Sequence, residues 1–124
     1  GTSDWAVARL TEPVPGVAPY QVAGASRSMT LVAQGHSNWR ARTKSIETCS
    51  TRSRGAEIQI DCDTGQGASG AAFLVPGTRR IFGLFVGFRS AQPNRAAPYD
   101  PRSHHNYGVA IRGALAAAIR RLAR

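Results

Sequence analysis

The chain has 124 residues and carries fifteen arginines and one lysine against seven carboxylates, a formal net charge of +9 at pH 7. That length fits one domain, and no run approaches the roughly 20 apolar residues that span a bilayer, so no membrane partner is expected. No signal peptide is visible. Guanidinium binds phosphate in a bidentate manner. However, the chain has no helix-turn-helix, zinc-finger, RRM or KH signature, and Trp5, Trp39, Tyr20, Tyr99 and Tyr107 are not interleaved with the arginines as a stacking platform. The charge therefore reads first as solvated basic surface, with nucleic-acid binding the weaker reading.

In chain order, Asp4 opens the apolar run Trp5 to Leu10, which ends at Glu12-Pro13-Val14-Pro15-Gly16. An acid at the mouth of a buried strand needs a partner for its charge, and orienting an imidazole is one such use. A capping aspartate is the plainer alternative. Extended segments follow near 19–23 and 29–34, the second ending in Gly35. A hairpin comes next, with 45–50 out, a turn at 51–55, and 56–61 back, where Ile58 and Ile60 alternate with polar neighbours. Cys49 and Cys62 flank this hairpin and are placed to bridge it, which implies a secreted or periplasmic setting. The alternative is two reduced, partly buried thiols.

Residues 62–70, Cys-Asp-Thr-Gly-Gln-Gly-Ala-Ser-Gly, set the Ser69 hydroxyl among glycines ahead of the apolar strand 71–75. Glycine admits positive φ, so the amides beside Ser69 can converge on a developing oxyanion. A glycine-serine turn between strands is the competing reading. Strands are expected again at 80–88 and 106–111, separated by a Pro-rich loop at 91–101. From Gly113 onward Leu115, Ala118, Ile119 and Leu122 recur at helical spacing, which predicts one amphipathic helix packed on the barrel. Short strands punctuated by Gly, Pro, Ser and Asn make the chain all-β, a barrel or sandwich. His36, His104 and His105 read as exposed loop histidines. No Cys or carboxylate falls at ligand spacing around them, so no metal and no cofactor are expected.

Taken together, Asp4 to Leu10 and Asp63 to Gly70 resemble the aspartate and serine segments of trypsin-like (chymotrypsin-fold) serine proteases, in particular the bacterial branch that includes the glutamyl endopeptidases. In that family the acid lies in D-[apolar]-x-[apolar]-x-x-L and the nucleophile in D-[ST]-x-x-G-x-S-G. Thr30 to Gly35, Arg80 to Gly87 and Asn106 to Ile111 are similar to three further strands of the family in the same order, so the resemblance covers nearly the whole chain. It implies an inter-barrel segment over 1–17, a C-terminal six-stranded antiparallel β-barrel of a two-barrel fold over 18–111, and a helix over 112–124.

The resemblance also implies the roles. Ser69 is the nucleophile of a peptide-bond hydrolysis, the amides of Gly67 and Ser69 form the oxyanion hole, and Asp4 orients the general-base histidine. A substrate pocket is walled by Asp63, Thr64 and Gln66 on one side and by Phe85, Val86 and Gly87 on the other. Asp63 stands at the offset of basic-residue preference in trypsin. Thr64 fits the glutamate-preferring pattern and Phe85 departs from it, so the preferred side chain stays open.

One part is missing, because the family's histidine precedes the aspartate by several tens of residues and only three residues precede Asp4 here. Without an imidazole Ser69 has no base. The expected partner is therefore the N-terminal barrel of the same precursor, as a separate or processed segment, with polypeptide as substrate. The remaining alternatives are a catalytically inactive homologue acting as a binding module, and a basic nucleic-acid-binding domain.

Overall fold

The computed structural model describes residues 2–35, 43–53, 55–64, 67–92 and 97–123. Seven strands are formed: β1 (Gln21–Val22), β2 (Ser28–Gly35), β3 (Thr43–Ser50), β4 (Glu57–Ile60), β5 (Ala72–Leu74), β6 (Arg80–Ser90) and β7 (His104–Ala110), followed by helix α1 (Gly113–Leu122). The sheet runs β3-β2-β5-β6-β7-β4, and β1 pairs in parallel with the start of β6. Every other pairing is antiparallel. The sheet curls so that its two outer strands meet at the Thr51–Ile60 bridge. A six-stranded barrel with a C-terminal helix fits this architecture.

Period-two patterning explains the closure. Met29 and Leu31 on β2, and Ile58 and Ile60 on β4, point inward and are buried, while their neighbours are half-buried or exposed. They meet Phe73 and Phe82 in the barrel interior, the two rings tilted against each other with centroids 6.1 Å apart. Phe73 is accommodated because Gly83 and Gly108 lie beneath its ring. A Cβ on Gly108 would come within 2.5 and 2.6 Å of Phe73 Cε2 and Cζ, and one on Gly83 within 2.8 Å of Cδ2.

Register irregularities on β6, at the Phe73/Leu74 and Phe85/Gly87 pairings, turn Ile81, Leu84 and Val86 to the outer face. There they form a second cluster with Val109, Ile111 and Leu115, covered by α1 and by Trp5 and Val7. Arg120 and Arg121 in the last turn of α1 complement the helix dipole.

The disulfide Cys49–Cys62 is formed. Around it the Asp61 carboxylate accepts from Arg52 Nε and Nη2, at 2.7 and 2.6 Å, and from the Ser50 amide at 2.7 Å. The segment after β4 is thereby fastened to the end of β3. Among the described residues no helix is long and apolar enough to cross a membrane, and the disulfide is compatible with an extracellular setting.

Three expectations change. Residues 5–10 form no strand; Trp5 and Val7 pack on the outer cluster, but this stretch has no backbone partner strand among the described residues. The expected 19–23 strand shrinks to Gln21–Val22; Pro19 at its start has no N–H to give a ladder. His104 and His105 are not exposed loop residues: β6 and β7 continue their pairing through Arg89↔His105 and Ser90↔His104. The Asp100 carboxylate caps the connecting turn by accepting from the Arg102 and Ser103 amides, which holds its pKa below the ordinary carboxylate range. His105 is consequently buried between Tyr99 and Tyr107, while His104 Nδ1 lies 2.9 Å from Ser90 Oγ. His36 lies outside the described residues.

Candidate functional site

Ser69 occupies the first corner of a turn over 68–71. The Ala71 amide donates to the Ala68 carbonyl at 2.9 Å, and Gly70 at the second corner has φ of 83°. This is the pattern of a type II turn, whose second corner requires positive φ and hence favours glycine. Two further bonds lock the turn to β6: Gly70 N–H donates to Phe85 O and Phe85 N–H to Ala71 O, both at 2.8 Å. Ala68 is buried beneath the turn, so Ser69 is pushed outward and exposed, with its hydroxyl donating to Val86 O at 3.3 Å.

Gly67 also has positive φ, at 91°. Among the described residues neither its amide nor that of Ser69 donates to a carbonyl, whereas the next two amides along the chain both do. Pairing of β5 with β6 ends at Ala72↔Leu84, while β6 runs on to Ser90 bonded to β7 alone. One edge of Val86 to Ser90, beside Ser69, thus has no partner strand among the described residues. A Cβ on Gly87 would meet nothing within 4 Å.

The other residues of the expected pocket are distributed unevenly. Asp63 is exposed, Thr64 and Val86 are half-buried, and Gln66 lies outside the described residues. Phe85 is almost wholly buried in the barrel core, so its ring is part of the packing behind the turn.

Glu47 on β3 is a residue that sequence patterning missed. It pairs with buried Leu31, which puts its side chain on the inner face. Burial, then repulsion from the Asp63 carboxylate, raises its pKa, partly offset by the nearby Asp63 backbone. No local signal marks it: apolar Ile46 is exposed while its neighbour Glu47 faces inward, the reverse of what their polarity suggests, and the register with β2 decides it.

Asp4 is exposed in a short turn, and no side-chain hydrogen bond or ion pair joins it to another described residue. The structure does bring its neighbour Trp5 onto the same outer cluster as Val86, the residue whose carbonyl holds Ser69. No imidazole of a described residue bonds to Ser69 or to Asp4. Among the described residues no group of three or more His, Cys, Asp and Glu is placed to hold a metal ion. Comparison of the chain with protein-family models, curated proteins and solved structures returns no match.

Proposed function

We propose that this chain is the nucleophile-bearing, C-terminal portion of a trypsin-like serine endopeptidase, with the general-base histidine supplied by a separate N-terminal segment. The observation that carries the reading is the Ser69 turn: an exposed hydroxyl beside two amides and a strand edge that find no backbone partner among the described residues. An extended peptide can add to such an edge through its backbone, which aligns a carbonyl with the hydroxyl. Ser69 Oγ attacks that carbonyl while the imported imidazole takes its proton. The negative charge then forms on the substrate oxygen, where the Gly67 and Ser69 amides are able to donate. Collapse of the tetrahedral species expels the amine, which takes the proton from the imidazolium, and water releases the acyl group from Ser69. Asp4 holds the imidazole in the required tautomer.

The exposure and unbonded state of Asp4 favour a second reading, an inactive homologue that keeps the fold for binding. The two are separated by treating the native preparation with a fluorophosphonate probe and mapping the adduct by peptide mass spectrometry. Modification of Ser69, abolished by Ser69→Ala and dependent on a co-purifying histidine-bearing segment, is the expected result. An unmodified Ser69 in the presence of that segment sinks the protease reading.

A further inference from the structure

Residues 8–22 form a strap along one side of the molecule in which no side chain is buried. Leu10 and Val17 are 64% and 63% exposed, and Val14, Tyr20 and Val22 are also among the exposed large apolar side chains. Five such residues in thirteen positions exceed the scattered single exposures of an ordinary surface. The strap is nevertheless held in place. Its near end is anchored by Trp5 and Val7 on the outer cluster. Its far end is anchored by the β1 pairing, by Gln21 N–H to Arg79 O at 3.0 Å and by Ala23 N–H to Ile81 O at 2.8 Å. Arg79 also donates to Ala18 O and lies over the Tyr20 ring, 4.9 Å from its centroid.

We infer that this strap is the docking surface for a second folded protein domain with an apolar face rimmed by carboxylates. Arg9, Arg79 and the exposed Arg80 edge the strap with no ion-pair partner among the described residues, and Glu12 is the one acid within it. An acidic rim complements that edge. A second copy of this chain does not, since each copy brings a net charge of +9. A lipid surface would accept the apolar and arginine side chains. Yet between Ala6 and Tyr20 no backbone amide of the strap donates to a carbonyl of another described residue. Hydrocarbon cannot satisfy those groups, whereas a protein can. The inference stands on the strap itself and holds whether or not Ser69 is a nucleophile; under the protease reading the docked domain is the histidine-bearing segment.

The test places a photo-crosslinking residue by Val17→p-benzoylphenylalanine in the chain expressed in its native host. The partner is then identified by sequencing the crosslinked peptide. The expected result is one adduct, to a folded domain whose crosslinked face is rich in Asp and Glu. Val14→Asp and the pair Arg79→Glu, Arg80→Glu should each weaken binding by about tenfold or more while leaving the far-ultraviolet circular dichroism unchanged. An adduct to a second copy of this chain, retention on vesicles of phosphatidylcholine and phosphatidylglycerol, a partner indifferent to these substitutions, or no adduct at all each overturns the inference. Ser69 labelling is scored on the same preparation, so loss of the protease reading and loss of the docking surface are read separately.

Discussion

Substitution Gly108→Ala tests whether close packing of Phe73 on the glycines beneath it holds the barrel core together. The new methyl group would lie 2.5 and 2.6 Å from two ring atoms of Phe73 and closer still to the Leu84 carbonyl oxygen. Phe73 has no exposed surface, and Leu84 O belongs to a strand paired on both sides, so neither can yield freely. Overpacking of this kind costs about 1–3 kcal/mol. The severity of the contact points to the upper end, and alanine returns about 0.4–1 kcal/mol by restricting the unfolded chain. A net loss of about 2 kcal/mol leaves the domain folded, given a typical total of about 5–15 kcal/mol. At a urea slope of about 2 kcal/mol/M it lowers the midpoint by about 1 M. Gly87→Ala is the internal control: the methyl meets nothing within 4 Å, and stability should stay within about 0.5 kcal/mol. Combining Gly108→Ala with Phe73→Leu, which removes both clashing ring atoms, should recover about 1 kcal/mol relative to additivity. A Gly108→Ala midpoint equal to wild type, or a Gly87→Ala midpoint that falls as far, would refute the account.

Three further outcomes are expected. Replacing Cys49 and Cys62 by alanine opens a bridge of sequence separation 13; a loop of that size is worth about 3 kcal/mol, and an unchanged urea midpoint would show that the Asp61–Arg52–Ser50 contacts suffice alone. Because burial and Asp63 raise the Glu47 pKa, the fold favours the neutral carboxyl. Its ionisation therefore destabilises the folded chain, with no penalty below the ordinary carboxylate range and the full penalty above the raised value. Glu47→Gln keeps the size of the side chain without its charge and should raise the midpoint at pH 7 while leaving it unchanged near pH 3, so a lower midpoint at pH 7 contradicts the assignment. Asp4→Asn should shift stability by less than about 0.5 kcal/mol, since Asp4 is exposed and unbonded. With the histidine-bearing segment present it should slow acylation of Ser69 by up to about 10⁴-fold through the wrong imidazole tautomer; equal acylation rates would remove Asp4 from the site.

The barrel strands were legible because their evidence is local. Alternation of Ile58 and Ile60 with Glu57 and Gln59, and the Gly, Pro and Asn breaks between segments, place β2 to β7 within about two residues of their observed ends. The Ser69 turn was legible for the same reason, since its shape follows from where the glycines stand. What escaped depends on pairing between distant segments. The two irregularities on β6 decide that Phe85 enters the core while Leu84 and Val86 build the outer cluster, and nothing in Leu84-Phe85-Val86 itself distinguishes them. Burial of His105 follows from two extra residues of β6–β7 pairing, and the inward turn of Glu47 from its register with Leu31.

Asp4 shows how that difference bears on function. Its motif describes an acid followed by apolar residues, and the chain does send Trp5 and Val7 to the cluster that supports Val86. The motif does not specify what the carboxylate touches, because an aspartate that orients an imidazole derives its position from that ring as much as from its own strand. The Ser69 turn, by contrast, is fixed by its own hydrogen bonds to Phe85 and Ala68. Under the protease reading, one half of the site is preorganised by the barrel and the other is completed by the domain proposed to dock along the strap that follows Asp4. Measured in the same titration, partner binding through Val14 and Val17 and acylation of Ser69 should therefore saturate together if the strap and the turn belong to one active site.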